Sequence, residues 1–325
     1  MLPVTPRGIV YGAEGARTPD LLGAIQALSQ LSYSPEGELK LNSPEGWFKR
    51  ISYISIRQTS RRQPMRILTA VTLLGSAVLP LSAQEPWTAN IPRRGFALDF
   101  LRPKFQGGGT SLTSFAVFLS GRAPMGDKTA IRFELPFARG STDFSGSSST
   151  LGNPYVGIET GGATGLAFET GLRGPLASEN EFAAQIGAFS DITRYEAFLP
   201  NVATISGRAR YRFQGDNGFT FDAGGGPSVF FPTKGGGDAE LVLHHHMSAG
   251  YRGPQVWASV GFGGWTFITE DIGGVGQRTI DQVGLSAGFT TGQARPALHI
   301  IAPLDDEYNS LVGVVIGFGV SVVTK

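Results

Sequence analysis

From residue 95 to residue 323, run after run of the chain places an apolar residue at every second position, the period of a β-strand and not of a helix. Ile131, Phe133, Leu135 and Phe137 alternate with Ala130, Arg132, Glu134 and Pro136. Val283, Leu285, Ala287 and Phe289 alternate with Gln282, Gly284, Ser286 and Gly288. Twelve such runs can be marked out: 95–104, 112–122, 128–139, 154–162, 164–174, 203–213, 217–231, 239–252, 254–268, 278–291, 293–303 and 311–323. Their length is decisive. Strands of soluble proteins average about 5–6 residues, whereas a strand crossing hydrocarbon at a tilt needs about 9–11. An isolated edge is intolerable in lipid, so the expected fold is all-β: a closed antiparallel transmembrane β-barrel of about 12 strands. A soluble β-sandwich would need shorter strands and a polar outer face.

Composition agrees. Charged residues make up only 16% of the 325, while Gly supplies 46 and Phe 22. The runs are separated by turn clusters such as Gly215-Asp216-Asn217-Gly218 and Arg252-Gly253-Pro254, which supply hairpin geometry. Cys 0 excludes disulfides, thiolate metal sites and a cysteine nucleophile. A formal charge of +1 gives no electrostatic footprint for nucleic acid.

The excess positive charge sits near the N-terminus. Arg61, Arg62 and Arg66 precede the uncharged stretch Ile67–Leu81, and Ser82-Ala83-Gln84 follow it. A basic segment, a short apolar segment and a small residue describe a secretory signal peptide at 65–83. The stretch falls short of the roughly 20 residues that a spanning helix needs. Residues 1–64 read as a spurious or disordered extension with Met65 as the start, because 12–35 looks like a mistranslated transfer-RNA gene. The barrel then occupies 84–325.

Leu135-Pro136-Phe137, a Ser/Gly-rich stretch and Leu151-Gly152-Asn153-Pro154-Tyr155-Val156-Gly157 resemble a family of outer-membrane barrels associated with phenol and aromatic-compound degradation. The resemblance implies a channel or transporter, with no catalytic residues to carry over. Many such barrels end in an aromatic residue read by the barrel-assembly machinery; here the end is Val322-Val323-Thr324-Lys325, with Phe318 the nearest aromatic. Expected partners are outer-membrane lipid, a small-molecule solute and that machinery, in the cell outer membrane.

Taking the polar face as inward gives a pore-lining set: Arg132, Glu134, Glu169, Arg173, Arg208, Arg210, Arg212, Asp222, Glu240, His244, His246, Arg252 and Arg295, with Asp99 and Glu159 beside them. Three arginines at spacing two, Arg208, Arg210 and Arg212, lie on one face of one strand. They form either an ion-pair network or a ladder for anionic solutes such as aromatic carboxylates. Aromatics near strand ends, among them Phe96, Phe137, Tyr211, Phe230, Tyr251, Trp265 and Phe267, are expected in interfacial girdles.

Two strings suggest chemistry. Gly284-Leu285-Ser286-Ala287-Gly288 matches G-x-S-x-G, yet that motif works on a strand-to-helix turn, and here it lies within a strand. His244-His245-His246 can direct at most two imidazoles to one metal, since neighbours on a strand face opposite ways. No metal or cofactor is assigned. The expected function is a channel for small, aromatic or anionic molecules; the alternatives are a structural or surface-interaction barrel and, behind it, an outer-membrane hydrolase. Both termini should be periplasmic, leaving 105–111, 140–153, 175–202, 232–238, 269–277 and 304–310 external. Of these, 175–202 should carry a short helix around 179–193 and be open to protease.

Overall fold

A computed structural model describes residues 94–106, 114–142, 146–178, 182–234, 238–269 and 279–323. The extension at 1–64 and the signal peptide at 65–83 fall outside the described residues. In chain order the strands are β1 (Gly95–Phe105), β2 (Phe115–Pro124), β3 (Thr129–Thr142), β4 (Gly146–Leu151), β5 (Tyr155–Gly161), β6 (Gly165–Arg173), β7 (Val202–Gln214), β8 (Phe219–Pro232), β9 (Glu240–Arg252), β10 (Val256–Phe267), β11 (Thr279–Phe289), β12 (Ala294–Pro303) and β13 (Val312–Val323). Two short helices interrupt them, α1 (Phe182–Ser190) and α2 (Asp306–Asn309), with a 3-10 segment at Ile192–Phe198.

Every pairing is antiparallel, and β13 returns to β1 to close a 12-stranded barrel. The thirteenth strand arises from one break. β4 and β5 both lie along β3, β4 against Phe137–Thr142 and β5 against Thr129–Glu134, and Gly152-Asn153-Pro154 separates them. The expectation that 140–153 is loop is therefore corrected: 140–142 continue β3 and Gly146–Leu151 form β4, because Ser and Thr fill strand positions that sequence alone presents as loop.

The pleat sorts side chains as alternation requires. Leu98, Leu135, Val156, Ile158, Leu172, Ile205, Val260, Leu285, Ile300 and Ile316 are exposed on the outer wall. Near the short-turn end Phe96, Tyr211, Phe213, Phe219, Tyr251 and Phe289 add an outward aromatic band. A closed barrel wearing apolar side chains outward is an outer-membrane protein, since lipid leaves no other use for such a surface.

The interior is not a simple polar pore. The β6–β7 connection, expected as an external loop, turns into the barrel instead. α1 and the 3-10 segment pack against inward residues of the strands in one core cluster that includes Leu101, Phe118, Phe230, Val242, Trp265, Phe267, Ile301 and Val315. All seven residues of the 3-10 segment are buried. This corrects two expectations: within the connection, 182–198 is a plug, and Phe230, Trp265 and Phe267 belong to the core beneath it and not to a girdle. The physical reason is common to both. A plug with its own apolar surface makes the facing inward positions apolar too, so one end of the lumen carries no polar signature.

Candidate functional site: a plugged, charged lumen

The break at Gly152-Asn153-Pro154 is where the plug is fastened. Gly152 has no side chain because a Cβ there would lie 2.5 Å from the Ala197 carbonyl oxygen and 2.8 Å from Pro136. Asn153 then uses nearly all of its polar capacity. Its backbone N–H donates to Ala197 O at 2.6 Å, and Nδ2 donates to Glu196 O and Leu199 O at 3.0 and 2.7 Å. Oδ1 accepts from the N–H groups of Leu176 and Ala177 at 2.7 and 2.8 Å. One side chain thus holds both ends of the β6–β7 connection.

The far side of the plug is fixed by strands β10 and β11. Trp265 Nε1 donates to Ile192 O at 2.7 Å, and Gln282 Nε2 donates to Asp191 Oδ1 at 2.6 Å. Asp191 caps the 3-10 segment through Thr193 N–H and also accepts from Arg194 Nε at 2.9 Å. From α2, Tyr308 donates to Phe189 O at 2.8 Å. Burial pushes the Tyr308 phenol upward, so it stays a donor.

Below the apolar layer lies a web of ion pairs, and it contains most of the residues expected to line a pore. Arg132 meets Glu159 at 3.0 Å and Glu169 at 3.5 Å, while Glu159 also takes Arg122 at 2.8 Å. Glu169 accepts a short hydrogen bond from Tyr155. Arg173 meets Glu134 at 2.9 Å and donates to Asn153 O at 2.8 Å. Arg210 and Arg212 share Asp222 at 2.7 and 3.0 Å, and His246 Nε2 lies 3.0 Å from the other oxygen of the same carboxylate.

The plug joins this web. Arg194 reaches Glu134 at 3.4 Å and Asp99 at 3.5 Å, with its guanidinium stacked 3.7 Å from the Phe118 ring centre. Glu196 meets Arg208 at 3.2 Å and Arg173 at 3.5 Å. Burial pushes the Glu196 carboxyl above its usual range, only in part offset by Arg173 and Arg208. Two charged side chains therefore latch the plug to opposite signs of wall charge. Sequence reading missed Asp191, Arg194 and Glu196, since their segment has neither strand period nor motif.

The remaining expected residues stand apart. Glu240 is half-buried at the start of β9, beside Phe230 on β8. His244 is buried between Trp265 and His246, at ring distances of 4.8 and 5.7 Å. Arg252 and Arg295 are half-buried at the short-turn end, close enough to feel each other's charge. His245 faces outward and pairs with Asp281 at 2.8 Å. Among the described residues no group of three or more His, Asp or Glu side chains is placed to hold a metal.

No family model matches the sequence, and no curated protein matches it. Solved structures do. The COG4313 outer membrane channel from Pseudomonas putida F1 is 12% identical, with a TM-score of 0.53, over 75% of this chain and 100% of that one. The NanC porin is 8% identical, with a TM-score of 0.44, over 70% and 100% of the two chains. LpxR from Salmonella typhimurium is 11% identical, with a TM-score of 0.41, over 71% and 100%. At these identities the likeness to the channel is one of fold.

Proposed function

We propose that this barrel is an outer-membrane channel for small molecules, closed by the β6–β7 plug in the state described and opened by its displacement. The observation that carries the reading is the latch. Charged plug residues are held by wall charges of opposite sign in a water-poor interior, where such contacts stay strong only while geometry is kept. A barrel that serves only as a scaffold has no need of a removable segment fastened to the wall through one asparagine and the ion pairs of two charged side chains. The fold shared with a channel supports the same reading. Insertion would use the barrel-assembly machinery, with lipid against the outer wall.

The solute class follows from the wall charges. Arg210 and Arg212 share one carboxylate, and Arg252 and Arg295 stand near one another at the short-turn mouth, so that half of the lumen is positive. Small anions, aromatic carboxylates among them, are the solutes it favours. Reversal potential across a salt gradient in a planar bilayer tests this. Anion preference is expected, and Arg252→Gln should shift it toward cations. Cation preference in the wild-type protein would exclude the anionic solute class while leaving the channel itself intact.

A further inference from the structure

We propose that Ser286, His299 and Asp99 form a nucleophilic centre on the lumen wall, able to accept the acyl group of a small ester. It rests on the channel reading in one respect, that the plug can leave its seat and admit a substrate. Ser286 and His299 are direct partners across β11 and β12, and Ser286 Oγ lies 2.8 Å from His299 Nδ1. On the far side of the ring, His299 Nε2 lies 3.8 Å from Asp99 Oδ1. The base therefore stands between a hydroxyl and a carboxylate, the arrangement that activates a serine.

The contact spans four strands only because a side chain is missing. β13 runs between β12 and β1, and Gly317 and Gly319 are the partners of His299 and Asp99 on it. A Cβ on Gly319 would lie 2.6 Å from both Asp99 Oδ1 and His299 Nε2. The glycine is what lets imidazole and carboxylate face each other. Neither of those two atoms has a hydrogen-bond partner, and both residues are at least 99% buried. A carboxylate can only accept, so it favours the proton on Nε2 and leaves the Nδ1 lone pair for the serine proton.

The G-x-S-x-G string runs along this strand. Gly284 and Gly288 flank Ser286 on its own face, and Ser259 is its partner on β10. In place of a sharp turn there is flat strand, and the Trp257 indole packs over Gly288, 2.9 Å from where its Cβ would lie. Arg194 reaches the centre from the plug, 3.5 Å from Asp99, and Ser286 is buried; a substrate would therefore enter once the plug is displaced.

The chemistry closes without a cofactor. Ser286 Oγ bonds to the ester carbonyl carbon as His299 takes its proton. The C–O bond to the alcohol breaks, and His299 returns the proton to the leaving oxygen. Water then attacks the acyl-serine, giving one proton through His299 to Oγ, and the carboxylic acid departs.

The test uses the folded, full-length protein in detergent micelles and a fluorophosphonate probe, with the adduct located by peptide mass spectrometry. Folding of each variant is checked by heat-modifiable gel migration. Labelling of Ser286 is expected, faster in Arg194→Ala than in the wild type because the plug is loosened. His299→Gln in the Arg194→Ala background should slow it about 100-fold or more, and Asp99→Asn should slow it to a smaller extent. p-Nitrophenyl acetate hydrolysis should follow the same order. No adduct in either wild type or Arg194→Ala would overturn the proposal. So would an adduct that survives Ser286→Ala, or one that forms in folded His299→Gln at the unreduced rate.

Discussion

Buried charges in this lumen come in sets, and the cost of breaking a set is larger than the worth of any one pair. Glu159 serves two arginines at once. Glu159→Gln should strand Arg122, leave Arg132 with Glu169 alone, and destabilise the barrel by about 3–5 kcal/mol, read as a lower temperature for loss of the compact gel form. Unchanged thermal behaviour would mean that water already solvates the pair. Alternation made Arg132, Glu134, Glu169, Arg173 and Arg208 legible as inward residues, because a guanidinium facing lipid costs about 2–4 kcal/mol at the midplane. Partners were not legible. Which carboxylate meets which guanidinium depends on register between strands, and two of the carboxylates come from a segment with no period at all.

At the scale of an element, the β4–β5 break and the plug are one device. Asn153→Ala removes two donated and two accepted hydrogen bonds to the ends of the plug, each buried group left unmet costing about 1–3 kcal/mol. The plug should then leave its seat while the strands persist, detected as new protease cleavage within 182–198 with heat-modifiable migration retained. The pH response follows from Glu196, which faces Arg173, Arg208 and Glu134. Its carboxyl titrates above the ordinary range when docked, so the docked state binds a proton more tightly than the released one. Docking is therefore strengthened by acid and weakened as pH rises past the ordinary glutamate value of about 4.3. Channel opening should be rarer at pH 5 than at pH 7.5, and Glu196→Gln should flatten that dependence; an unaltered dependence would assign it to another group. Sequence showed the Gly-Asn-Pro turn but not its task, since a clamp on a distant segment leaves no local trace.

For the whole molecule, strand number, closure and sidedness were readable because lipid punishes every alternative: an outward charge, an open edge or a short strand. The plug was not readable for the opposite reason. Its helix is nine residues long, its buried face resembles any amphipathic loop, and the lumen positions it covers look like ordinary core. The barrel is thus a wall that sequence period defines and a stopper that only tertiary packing defines. The most direct measurement of that division is single-channel conductance in a planar bilayer, comparing the wild type with Asn153→Ala and Arg194→Ala at equal insertion. The account predicts a mostly closed wild type and a several-fold higher open probability in both variants, with the anion preference kept. Equal, steadily open currents in all three proteins, or no current in any of them, would contradict it.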